Sequence, residues 1–102
     1  MLIICLVVNV SYAQVGIGTT TPDASSMLDI QSTAKGVLIP RIALTGINDV
    51  TTIASPQTSL MVYNTATVAG ANAIVPGFYY FNGTEWTVLV NSAQGVDVTD
   101  DF

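Results

Sequence analysis

Short apolar runs of three to five residues, broken by Gly, Pro, Asn and Ser clusters, make up most of this chain. That is the pattern of a β-rich protein with small strands. Val15 and Ile17 alternate with Gly16 and Gly18, so one face of this strand is apolar and the other carries no side chain. Another backbone can then approach closely. Pro22-Asp23 ends it. Met27–Ile30 and Val37–Ile39 are two further strand candidates, separated by a Ser32–Gly36 turn and closed by Pro40. Leu60–Tyr63 is rich in β-formers. Between these lies Ile42–Ala54, where Ile47, Val50 and Ile53 sit three apart behind a potential cap at Thr45. Its β-branched residues and Gly46 are weak helix formers, so it predicts one or two helical turns at most.

The clearest local signal is Phe78-Tyr79-Tyr80-Phe81, then Asn82-Gly83, then Thr84–Val90. Asn-Gly between two β-rich runs predicts a two-residue type I′ hairpin turn. That register sets Phe81 opposite Thr84 and Tyr79 opposite Trp86, an aromatic pair contributing up to about 1 kcal/mol over Ala–Ala. A hairpin alone is marginal in water, and Leu60–Tyr63 is its natural third strand. Asn64–Gly77, the connection before the hairpin, is long for so small a domain. The reading is a mainly β fold: a small antiparallel sheet with an aromatic hairpin and at most one short helix.

Both ends of the chain differ from this middle. Leu2–Val8 is an uninterrupted apolar run, and Ser11-Tyr12-Ala13 fits a signal-peptidase site, although no Lys or Arg precedes the run. The run is too short to span ~30 Å of hydrocarbon. Residues 1–13 are therefore expected to be a cleaved signal peptide, leaving no membrane span in the mature chain. Cys5, the only cysteine, would leave with it, so packing or assembly rather than disulfides must stabilise the remainder. Residues 14–90 form the expected β-rich module. Asn91–Phe102, with Asp97, Asp100 and Asp101, reads as an acidic linker or the start of a downstream region.

Composition narrows the function. Half of the 102 residues are hydrophobic, 9% are charged, and the net charge is −5. Lys35 and Arg41 are the only cations, which excludes a phosphate-binding patch for nucleic acid and weakens any docking on anionic lipid. Scarce surface charge with abundant apolar residues is what a protein shows when part of its surface is covered by a partner. No catalytic residue, metal site or cofactor is expected. There is no histidine to act as a general base, and Glu85 is the only glutamate. Asp29 with Asp49 could be posed as a glycosidase pair, but nothing in their spacing supports it. Asp97, Asp100 and Asp101 lack an EF-hand pattern. Lys35 and Arg41 could pair with Asp29 or Asp49, at little gain if exposed.

Phe78, Tyr79, Tyr80, Phe81 and Trp86 are the candidate interaction surface, and Asn82 with Gly83 the structural turn. Neighbouring strand residues point to opposite faces, so one face forms a core and the other a partner surface. The competing use of the same aromatics is a sugar-stacking platform in a carbohydrate-binding module.

Four stretches carry a family resemblance: Gln14–Pro22 directly after the leader, Leu28–Arg41, Val62–Thr65 and Tyr80–Trp86. Together they resemble the N-terminal module of secreted bacterial "tail fiber domain-containing" surface proteins of Gram-negative bacteria. The resemblance spans about residues 14–90. It implies a structural or interaction module of a fibre-like or adhesin-like protein at the cell surface, without catalysis. Its implied partners are other copies of the chain, as trimers, or another surface protein. Some such relatives end in a self-cleaving chaperone domain of the endosialidase type. The stretch Ala66–Gly77 is longer than the family pattern leads one to expect.

Overall fold

The computed structural model describes residues 3–4 and 14–89. The rest of the leader, with Cys5, and the acidic end, with Asp97, Asp100 and Asp101, lie outside the described residues. The chain divides into two compact units at Val37/Leu38, and each is described separately. Every regular element among the described residues is a β-strand.

The first unit is a two-stranded sheet: β1 (Val15–Ile17) lies parallel to β2 (Leu28–Ile30). Val15 pairs with Leu28, Gly16 with Asp29 and Ile17 with Ile30. The predicted close backbone approach occurs at Gly18. A Cβ there would collide with the Gln31 carbonyl oxygen, and φ is +76°. Only glycine fits that position. The crossover between the strands is tied by polar groups. The Asp23 carboxylate accepts from the Ser25 amide (2.8 Å) and hydroxyl (2.6 Å), and the Gln14 side-chain amide donates to the Asp23 and Ser26 carbonyls.

The second unit is a four-stranded sheet in the order β3 (Arg41–Ile42), β4 (Met61–Asn64), β5 (Gly77–Phe81), β6 (Trp86–Val88). β4, β5 and β6 form the expected antiparallel meander, while β3 adds a parallel edge to β4. The strand predicted at Val37–Ile39 is absent: the pairing segment follows Pro40 instead of preceding it. The Tyr63 amide donates to the Pro40 carbonyl and the Thr65 amide to the Ile42 carbonyl, both at 2.9 Å. A proline at the start of an edge strand gives up only a donor that the ladder does not use. Among the described residues Val37 and Leu38 have no such partner, and both are exposed.

Nor does Ile42–Ala54 form a helix. It crosses from β3 toward β4 as a series of turns. Asp49 starts a helix-like turn by accepting from the Thr51 and Thr52 amides, but Ser55, at φ 48°, ends it. The β-branched run Val50–Ile53 gives little propensity to extend it.

Leu44, Val62, Ile74, Tyr79, Phe81 and Trp86 form the buried core, with Ile42, Ile47, Ile53 and Val68 packed against it. The core occupies one face of the sheet, and its second layer is made of connections rather than another sheet. One is the 43–60 crossover. The other is Thr65–Pro76, which closes on itself through a reciprocal bridge between Val68 and Ile74 (2.8 and 3.0 Å) and buries Ile74. Its unusual length is thus used as a core cover.

The aromatic hairpin forms between β5 and β6 with a different register from the predicted one. Phe81 pairs with Trp86, Tyr80 with Thr87 and Tyr79 with Val88, so the loop has four residues, Asn82–Glu85. The physical reason is the Asn82 side chain. Its Oδ1 accepts from the Thr84 (2.8 Å) and Glu85 (2.9 Å) amides, while the Asn82 backbone amide donates to the Glu85 carbonyl (3.0 Å). A side chain that imitates a backbone turn favours the longer loop. Gly83 still has positive φ, +102°. The aromatic contact becomes Phe81–Trp86, edge to face at 5.3 Å.

Candidate functional site

The five candidate aromatics separate by strand alternation. Tyr79, Phe81 and Trp86 point into the core, whereas Phe78 and Tyr80 stand on the opposite face. Two of the buried three are fixed by their polar ends. Trp86 Nε1–H donates to the Asp49 carbonyl (2.6 Å), and the Trp86 backbone amide donates to the Ile47 carbonyl (2.8 Å). The Tyr79 hydroxyl donates to the Val75 carbonyl (2.8 Å). Trp86 therefore fastens the crossover to the sheet, and Tyr79 fastens the second connection.

The outer face is built by residues one step out of phase with the core. Its rows follow from the pairing: Arg41, Tyr63 and Phe78 in one, Met61, Tyr80 and Thr87 in the next. Leu89 continues the first row through its amide, which donates to the Phe78 carbonyl (2.8 Å). Tyr63 and Phe78 meet edge to face at 5.0 Å. Met61, Phe78 and Leu89 are each 46–51% exposed, and Tyr63 and Tyr80 are half-buried. Sheet faces of this kind are ordinarily covered by a second layer. Here the core-covering connections of the unit lie on the other side.

Over residues 16–99 the chain matches the family described as a phage tail like trimerisation region. The chain belongs to this family. No curated protein and no solved structure gives a match. The phage tail like trimerisation region is a structural, tail-fibre-like and oligomer-forming module, which agrees with the coarse content of the resemblance drawn from the sequence. The match covers every strand except the first residue of β1. No helix among the described residues is long and apolar enough to cross a membrane.

Within this trimerisation region the polar groups serve the scaffold. Asp49 is buried, and its carboxylate accepts from the Thr45, Thr51 and Thr52 amides and from the Thr51 and Thr52 hydroxyls. Burial alone would raise its pKa. The Thr52 hydroxyl and the three amides outweigh burial and hold it well below the usual carboxylate range. Asp23 is also lowered, by the Ser25 hydroxyl and amide. Asp29 accepts from the Asp23 amide (2.9 Å), so neither member of the posed Asp29/Asp49 pair is left without a structural partner. The Arg41 Nη1 donates to the Ile39 carbonyl (3.1 Å) rather than serving Asp49. Among the described residues no three His, Cys, Asp or Glu side chains are grouped as metal ligands.

Sequence reasoning passed over Asn64, the second buried polar hub. Its Oδ1 accepts from the Leu44 (3.0 Å) and Ala66 (3.1 Å) amides, and its Nδ2 donates to the Ala66 (2.8 Å) and Val75 (2.9 Å) carbonyls. All four hydrogen bonds stay within the unit, and they join both core-covering connections to the end of β4. The available signal was period two: Asn64 is two residues from Val62 and so shares its buried face. For Asp49 the signal was the following Val50-Thr51-Thr52, two hydroxyls placed to satisfy an acceptor at the start of a turn.

Proposed function

We propose that this trimerisation region holds three copies of a secreted, fibre-like or adhesin-like bacterial surface protein together near their N-terminal ends, through the outer face of the four-stranded sheet. The observation that carries the reading is the partly exposed apolar row Tyr63–Phe78–Leu89 beside Met61 and Tyr80, opposite a face already covered by the chain itself. In a ring of three, each copy turns the same patch toward the axis and closes the contacts without leaving an open end. Scarcity of charge along the whole chain fits a surface meant to be covered.

Export is the second part of the proposal, supported by the apolar run and the Ser11-Tyr12-Ala13 cleavage pattern. A glycan platform gains less from this arrangement, because Tyr79, Phe81 and Trp86 are occupied in the core. Sedimentation of the purified chain at micromolar concentration tests the assembly. The expected species is a trimer; a compact monomer across the range contradicts the reading. N-terminal sequencing of exported protein should begin at Gln14.

A further inference from the structure

We infer that the apolar face of the first unit is also an assembly contact, covered by the same face of neighbouring copies. This inference rests on the trimer reading. The two faces of the β1–β2 pair are treated differently by the chain. On the Gly16/Asp29 side the crossover lies close over the strands: a Cβ at Gly16 would come within 2.7 Å of both Pro22 Cγ and the Thr19 carbonyl oxygen. On that side, too, Asp29 accepts the Asp23 amide. The other side carries Val15, Ile17, Leu28 and Ile30, paired Val15–Leu28 and Ile17–Ile30, and it is 38–54% exposed.

That face is wholly aliphatic and bears no charge, so it offers nothing to an ionic or sugar ligand and is complementary to itself. A two-stranded pair is marginal in water without a covered hydrophobic face. The family match begins at Gly16, so Ile17, Leu28 and Ile30 belong to the region whose description is trimerisation. Identical aliphatic faces turned toward a three-fold axis would cover one another with the same residues from each copy.

The test is thiol alkylation of Ile17→Cys in a Cys5→Ser background, using the full chain over a range of concentrations, with sedimentation in parallel. Expected is alkylation slowed roughly tenfold or more above the assembly concentration, and free reaction below it, because burial excludes reagent from a covered aliphatic contact. Free reaction in a trimeric sample overturns the inference and leaves the trimer reading standing. Protection that persists in the dilute monomer also overturns it, since the cover would then come from the same chain. A sample that is monomeric throughout, with the introduced thiol freely reactive, removes the trimer reading and this inference with it. A second variant, Ile30→Ser, should weaken association by roughly tenfold or more, the loss expected from removing a buried aliphatic side chain. Unchanged association in that variant counts against the contact.

Discussion

The two units of this chain meet the same shortage of residues in opposite ways. The second unit, from Leu38 on, covers one face of its sheet with two long connections and locks them with the buried polar hubs Asp49 and Asn64. The first unit has no buried residue among its described positions and is held by hydrogen bonds around Asp23, Gln14 and Gln31. A core made within one chain stabilises through burial of Leu44, Ile74 and Trp86; a pair of three-residue strands cannot do so. Each unit nevertheless leaves one apolar face outside. On the proposed reading, internal stability and assembly fall to different faces, so substitutions should separate them cleanly.

The largest effect expected from breaking this division is at the centre of the second unit's core. Trp86→Ala removes the largest fully buried side chain and the bond to the Asp49 carbonyl, and should cost about 3–5 kcal/mol. Thermal or denaturant unfolding measures it. A small effect would mean that the crossover is held without Trp86.

Acid should act next, through Asp49. Its native pKa is depressed below the ordinary 3.8, so its contribution to stability is fully present above that value. It is lost as the pH falls below 3.8 toward the depressed native value. Asp49→Asn should flatten this acid limb of the melting temperature, and an unaltered limb would assign it elsewhere.

Gly83→Val should cost roughly 1–2 kcal/mol, because a β-branched residue is strained at positive φ. A Cβ there also comes within 3.1 Å of the Thr58 hydroxyl oxygen. An unchanged melting temperature would show that the loop relaxes without Gly83.

Much of the strand layout was legible from period and punctuation. Val15–Ile17, Leu28–Ile30, Met61–Tyr63 and both arms of the aromatic hairpin lie where alternation, β-forming residues and turn residues put them. What escaped sequence reasoning depended on partners distant in the chain. The strand at Arg41–Ile42 is fixed by the Tyr63 and Thr65 amides, which donate to the Pro40 and Ile42 carbonyls from more than twenty residues away. The Asn82 side chain lengthened a turn whose dipeptide alone pointed to a shorter one. The split of the aromatics between core and outer face was readable from alternation. The cover over Trp86 was not, since it comes from residues 37 positions away.

The central claim is that the outer sheet face joins copies of the chain while contributing little to the fold of each. Sedimentation equilibrium of the Phe78→Ser variant beside the unaltered chain tests it most directly, with unfolding followed in dilute samples of both. Phe78 is half exposed and its contact within the chain is the edge-to-face pair with Tyr63, so the dilute unfolding free energy should fall by no more than about 1 kcal/mol. Association should fall by roughly tenfold or more, as expected when a large aromatic contact is removed. A variant that still forms trimers with unchanged affinity would contradict the account.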